Sequence, residues 1–214
     1  MKNLLLALSL ALPAGSALAQ AADVGLINMT SPNVTYVSPG GTSAKVQPYM
    51  RVRDGDRVDV PAGATVRIIF FDGARVETWS GPASFRAGRV SSERISGAAA
   101  EISSLPENAP QRIARVPQLI QIAKLGGIQV RSINAARQTA DQKAAIDEAR
   151  KSYEAMRSEL PADDITPELY FLSALNELGQ GDQMKSVADE MMRKQPNNED
   201  AKAISAWVYR WAGK

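Results

Sequence analysis

The chain has 214 residues, a formal net charge of +2, and neither cysteine nor histidine. Without those side chains there is no disulfide, no Cys/His zinc site, no cysteine nucleophile and no Ser-His-Asp triad. The near-neutral balance gives no general reason to expect nucleic acid as a partner, and no cofactor or metal is expected. The N-terminus comes first in the chain. Lys2 is the only charge of a short n-region, an apolar run follows from Leu4 to Leu12, and Pro13 and Gly15 break it. Ala17-Leu18-Ala19 then supplies a small-x-small cleavage site. Residues 1–19 are therefore expected to be a cleavable secretory signal peptide, with the mature chain starting at Gln20. The apolar run is shorter than the roughly 20 residues a membrane span needs. No later stretch reaches that length, so no transmembrane segment is expected after signal removal. No cysteine stands at the cleavage site to carry a lipid. The expected compartment is the periplasm.

Residues 20–96 read as an all-β domain. Val24–Met29, Val34–Val37, Arg57–Val60, Thr65–Phe71 and Arg75–Trp79 are short β-rich runs separated by Pro, Gly, Asn and Asp turns. Short strands at that spacing predict a sandwich or barrel-like fold. Asp72-Gly73 between two such runs predicts a hairpin with a primed two-residue turn and positive φ at both residues. The register then pairs Ile69 with Val76, Ile68 with Glu77 and Val66 with Trp79. Alternation places Ile69, Phe71, Ala74 and Val76 on one face. Val66, Ile68, Phe70, Arg75, Glu77 and Trp79 take the other, expected to be partly wet. Each residue has a strand or turn role here, and Arg75, Glu77 and Trp79 are also candidate binding residues, because Arg and aromatic side chains are frequent interface anchors.

Met50–Val60, then Ala64–Phe71, Asp72-Gly73 and Gly81-Pro82-Ala83-Ser84-Phe85, resemble the ferric-citrate regulator (FecR) domain family. Gly55-Asp56, Gly63-Ala64, Asp72-Gly73 and Gly81-Pro82 fall in the order of that family's turns. The resemblance covers about Val24 to Ile95. It implies an envelope interaction domain and brings no catalytic residues. The chain differs from the sigma-regulator members in having a cleavable signal where they have a cytosolic segment and a membrane span.

Gly97–Ala100 and Pro106–Pro110 interrupt both periods, so residues 97–110 are expected to form a linker. Residues 111–214 read as helical. The expected helices are Gln111–Leu125, one running from a cap at Asp141 to about Glu159, one capped by Thr166 with Pro167 as its first residue, one capped by Asp182, and a last one carrying Ile204, Trp207, Val208 and Trp211. Pro161 and Pro196 stand 35 residues apart, each after a Met-Arg pair. That period resembles the tetratricopeptide repeat, in a degenerate form of about one and a half repeats. Leu172 stands where the repeat usually has a small residue, and Ala188 where it usually has an aromatic. The Leu and Met stripe, including Leu172 and Met184, reads as core, with an adaptable peptide groove as the alternative. Trp207 and Trp211 read as a hydrophobic cap.

From Asn108 to Ala140 there is no acidic residue, while Arg112, Arg115, Lys124, Arg131 and Arg137 are basic. This segment reads as a solvated helix face, or as a contact for an anionic surface. Together these features predict an α+β chain of two segregated domains, an N-terminal all-β sandwich or barrel-like domain and a C-terminal helical hairpin array. The expected role is that of a non-enzymatic exported binding or scaffold protein, touching a protein partner or cell-wall polymer. Two alternatives stand beside it. One is a cell-wall-active enzyme using a carboxylate pair drawn from Asp54, Asp56 and Asp59. The other is an envelope component that binds an anionic surface through residues 111–137.

Overall fold

A computed structural model describes residues 22–126 and 139–211. The signal segment, Arg131, Arg137 and the Trp211 side chain lie outside the described residues. Strands fall within residues 23–104 and helices within 109–211, the expected α+β division. With strands numbered in chain order, sheet A runs β10 (Glu101–Ser104), β7 (Arg75–Ser80), β6 (Thr65–Phe70), β1 (Asp23–Thr30), β4 (Arg51–Arg53). Sheet B runs β3 (Ser43–Lys45), β2 (Thr35–Val37), β5 (Arg57–Val60), β8 (Ala83–Ala87), β9 (Ser92–Gly97). Neighbouring strands pair antiparallel.

The β6–β7 register is the expected one, with Ile69 opposite Val76, Ile68 opposite Glu77 and Val66 opposite Trp79. The two faces also separate as alternation requires. Val66, Ile68, Phe70 and Trp79 join Val58, Val60 and Phe85 of sheet B in the core between the sheets. Ile69, Ala74 and Val76 join Leu26 and the helices on the other side. The turn differs from expectation. The chain reverses over residues 71–74, and positive φ falls on Gly73 (+93°) and Ala74 (+51°), not on Asp72. Each strand stops one residue short of the expected turn, so the left-handed pair moves one residue along.

Residues 97–110, expected as a linker, contain β10 and the start of the first helix. The backbone groups of β7 need a partner on their open side, and Glu101–Ser104 provide it. The helices are α1 (Ala109–Ile113), α2 (Val116–Lys124), α3 (Ala140–Glu159), α4 (Thr166–Glu177), α5 (Gly181–Lys194) and α6 (Glu199–Trp211). The single helix expected over Gln111–Leu125 divides in two. Pro117 has no N–H to give the preceding turn, so α2 restarts with proline in its first turn. Thr139, not Asp141, caps α3, exchanging hydrogen bonds with Gln142 in a capping box.

Successive helices pack as neighbours: α3 on α4, α4 on α5, α5 on α6, with α1 and α2 on α4 and α2 also on α6. Helix α4 is buried from Thr166 to Leu175. A helix apolar over most of its circumference belongs at the centre of a layer. Sheet A is thus the middle of three layers, covered by sheet B on one face and by helices on the other. Among the described residues no helix is long and apolar enough to cross a membrane.

Candidate functional site

Helices α3, α4 and α5 enclose a surface groove of about 330 Å³. Helical spacing aims the α5 side into it, because Gln183, Ser186, Val187, Glu190 and Arg193 share one stripe. Phe171 of α4 forms the floor, and the Tyr153 ring of α3 stacks on it at 5.2 Å. The Arg150 guanidinium lies 5.2 Å from the Phe171 ring centre and donates to Gln183 Oε1 at 2.8 Å. Arg193 pairs with Glu190 on the rim. Arg150 is exposed and has no carboxylate within ion-pair distance among the described residues. An exposed guanidinium thus lies over an aromatic ring that is itself 2% exposed, with polar groups around it.

Tyr153 ties the groove to a buried charge cluster. Its hydroxyl donates to Glu168 Oε1 at 3.2 Å. Glu168 is fully buried and also meets Arg157 at 3.1 Å and Lys194 at 3.7 Å. Arg157 further donates to the carbonyls of Asp164 and Pro161. Burial, then the charge of Glu168, pushes the Tyr153 hydroxyl up to about 12, so it remains a donor at neutral pH.

The helical layer is keyed to sheet A by a second buried pair. Arg67 Nη1 lies 2.7 Å from Asp164 Oδ2, with side chains 10% and 6% exposed. A bulge in β1 between Ile27 and Met29 leaves Asn28 unpaired in the ladder, and its amide donates to Asp164 at 2.9 Å and Thr166 at 3.1 Å. Asp164 Oδ1 in turn accepts from the Thr166 N–H at 2.8 Å, which gives the first N–H of α4 a partner.

The other sequence candidates are placed differently. Trp79 is 3% exposed, stacks on Phe85 of sheet B at 4.6 Å and donates its indole N–H to Glu77. Glu77 is 1% exposed and holds Arg75 at 2.6 Å. The three are brought together, with Glu77 and Trp79 inside the sandwich and the Arg75 side chain, 35% exposed, at its margin. Of the face expected to be partly wet, sheet B covers Glu77 and Trp79, and Arg75 alone of these three stays in contact with water. Arg112 and Arg115 both pair with Glu177 of α4, and Lys124 pairs with Asp200 of α6. Acidic residues far along the chain therefore match these basic side chains. Arg112 and Arg115 share a cleft of about 200 Å³ with Asn108, Tyr170 and Glu177. Leu172 and Met184 are core, 0% and 3% exposed, and Trp207 is buried with them.

Asp56 and Asp59 are held in separate environments. Asp56 is buried, accepts from the Arg53 N–H, and burial pushes its carboxyl up. Asp59 stands on the outer face of sheet B, held by Arg57 and Ser84. Burial raises its pKa, but those hydrogen bonds outweigh burial and leave it below its ordinary value. It borders a shallow cleft of about 540 Å³ with Asn33, Thr35, Ser84 and Ser96, a lining that contains no second carboxylate.

The α3–α5 groove was not legible in the sequence as a site. The spacing of Ser186, Val187 and Glu190 marks one helical face, but nothing in it indicates that Tyr153 and Phe171 stack beside that face. Compared with known proteins, the chain matches no family model, no curated protein and no solved structure.

Proposed function

We propose that the chain is an exported, non-enzymatic binding or scaffold protein of the periplasm or cell envelope, acting through a protein contact at the α3–α5 groove. The observation that carries this reading is the groove itself, an aromatic floor of Tyr153 and Phe171 beneath the exposed Arg150. Aromatic and Arg side chains at a concave surface are the usual anchors of protein contacts. The FecR-like reading of the β layers and the tetratricopeptide-like reading of the helices agree with such a role. The match of Arg112, Arg115 and Lys124 to Glu177 and Asp200 weighs against a bare basic surface for anionic polymer or lipid.

The test uses the tagged protein in an envelope extract, followed by titration of the purified partner. Arg150→Glu with Ser186→Trp changes two exposed groove residues and should weaken binding at least tenfold while leaving the thermal melt in place. Replacing Arg112, Arg115 and Lys124 by Gln should leave binding unchanged. Binding that ignores the groove variant, or steady hydrolysis of a wall fragment by the purified protein, overturns the proposal.

A further inference from the structure

The open edge of sheet A has a backbone phase and a side-chain pattern that suit a second copy of itself. β10 is the end strand, paired only with β7, in the register Ser103 opposite Val76 and Ile102 opposite Glu77. Two pairs further on, past Ser104 opposite Arg75, the Leu105 N–H donates to the Ala74 carbonyl at 2.8 Å. Bonded and non-bonded pairs alternate along an antiparallel ladder. Ser103 and Glu101 therefore turn their peptide groups toward β7, and Ile102 and Ser104 turn theirs outward. Ile102 sits at this edge with 57% of its surface exposed. Ile95 on β9, the edge of sheet B, and Val90 just before it are 46% and 53% exposed. Three of the five strongly exposed large apolar side chains among the described residues thus fall between residues 90 and 102. A free edge carrying apolar side chains is a pairing surface.

We propose that two copies of the chain pair through β10 about a two-fold axis at Ile102, joining their A sheets into one ten-stranded sheet. An axis perpendicular to the sheet keeps each face on its own side, so residues that meet must have matching parity along the strand. Centred on Ile102, the outward peptide groups of the two isoleucines exchange both hydrogen bonds, and the two side chains cover each other. Glu101 then stands opposite Ser103 of the second copy, and Ala100 opposite Ser104 of the second copy. No like charges stand opposite each other, and the residues at the seam besides Ile102 and Glu101 are small. This complementarity to itself selects a second copy over a foreign strand.

The absence of cysteine makes the test direct. A bonded antiparallel pair has Cα atoms about 5.5 Å apart, within disulfide range. Ile102→Cys should therefore cross-link to a covalent dimer under mild oxidation. Ser104→Cys should not, because its two copies lie about 14 Å apart, four residues out of register. Sedimentation of the unmodified chain should show reversible dimerisation. Ser103→Lys, which faces Glu101 across the seam twice, should tighten it about three- to tenfold. Ile102→Lys should weaken it at least tenfold, with an unchanged circular dichroism spectrum showing that the fold is kept. A chain that stays monomeric at every concentration overturns the proposal, as does equal cross-linking at positions 102 and 104. Pairing of β10 only with a strand of another protein also overturns it.

Discussion

Glu77 and Glu168 are both interior glutamates, and they are held in opposite ways. Glu77 takes its partners from its own strand, Arg75 and Trp79 two residues to either side, with the Ser92 N–H added from β9. Glu168 takes Arg157 and Tyr153 from α3 and Lys194 from α5. The Arg75 side chain is 35% exposed, while those of Arg157 and Lys194 are 16% and 17% exposed. A strand repeats its faces every two residues, so a carboxylate can collect partners locally. The partners of a carboxylate on a central helix must come from its neighbours. The difference also sets the cost of failure, because a partner near water rehydrates when its ion is lost and a buried one does not.

The largest effect tests that last point. Glu168→Ala takes the carboxylate from the mostly buried Arg157, leaves Lys194 only its 3.5 Å pair with Glu190, and should cost about 3–5 kcal/mol in urea unfolding. Glu77→Ala should cost less, about 2–3 kcal/mol, since it loses charge-assisted hydrogen bonds while Arg75 turns to solvent. Equal losses would mean that partner exposure does not govern the two sites.

Gly73→Val sharpens the local side of the comparison. Space around Gly73 is open, so its φ of +93° is the whole obstacle. Forcing a β-branched residue there should destabilise by about 1–3 kcal/mol, read as a lower melting temperature. An unchanged melt would refute the left-handed turn.

Replacing Arg112, Arg115 and Lys124 by Gln removes long-range pairs that are partly in water. The combined loss should be about 1 kcal/mol, and it should shrink in high salt. A loss as large as that of Glu168→Ala would place these pairs in the interior.

The smallest effect is confined to alkaline pH. The Tyr153 hydroxyl is raised from 10.0 to about 12 by burial and by Glu168. The folded protein keeps this proton over a range in which the unfolded chain releases it. The contribution is therefore full below pH 10 and falls as pH rises from 10 to 12. Tyr153→Phe removes that fall, so the stability gap between the parent and the variant should narrow across this window. A gap that stays constant would separate Tyr153 from the Glu168 cluster.

Sequence by itself determined the division into strands and helices, the two faces of the β6–β7 hairpin with its register, and the inward Ile204, Trp207 and Val208 of α6. These follow from periods of two and 3.6 residues and from turn residues, which act over a few positions. Tertiary structure decided how many faces are covered. The alternation that made one side of β6 and β7 look partly wet is the same whether or not a second sheet lies against it, and sheet B is what buries Glu77 and Trp79. Tertiary structure also turned residues 101–104 into an edge strand, matched Arg112, Arg115 and Lys124 to Glu177 and Asp200, and stacked Tyr153 on Phe171. Each of those pairs residues far apart in the chain, and local period carries no record of what packs against a face.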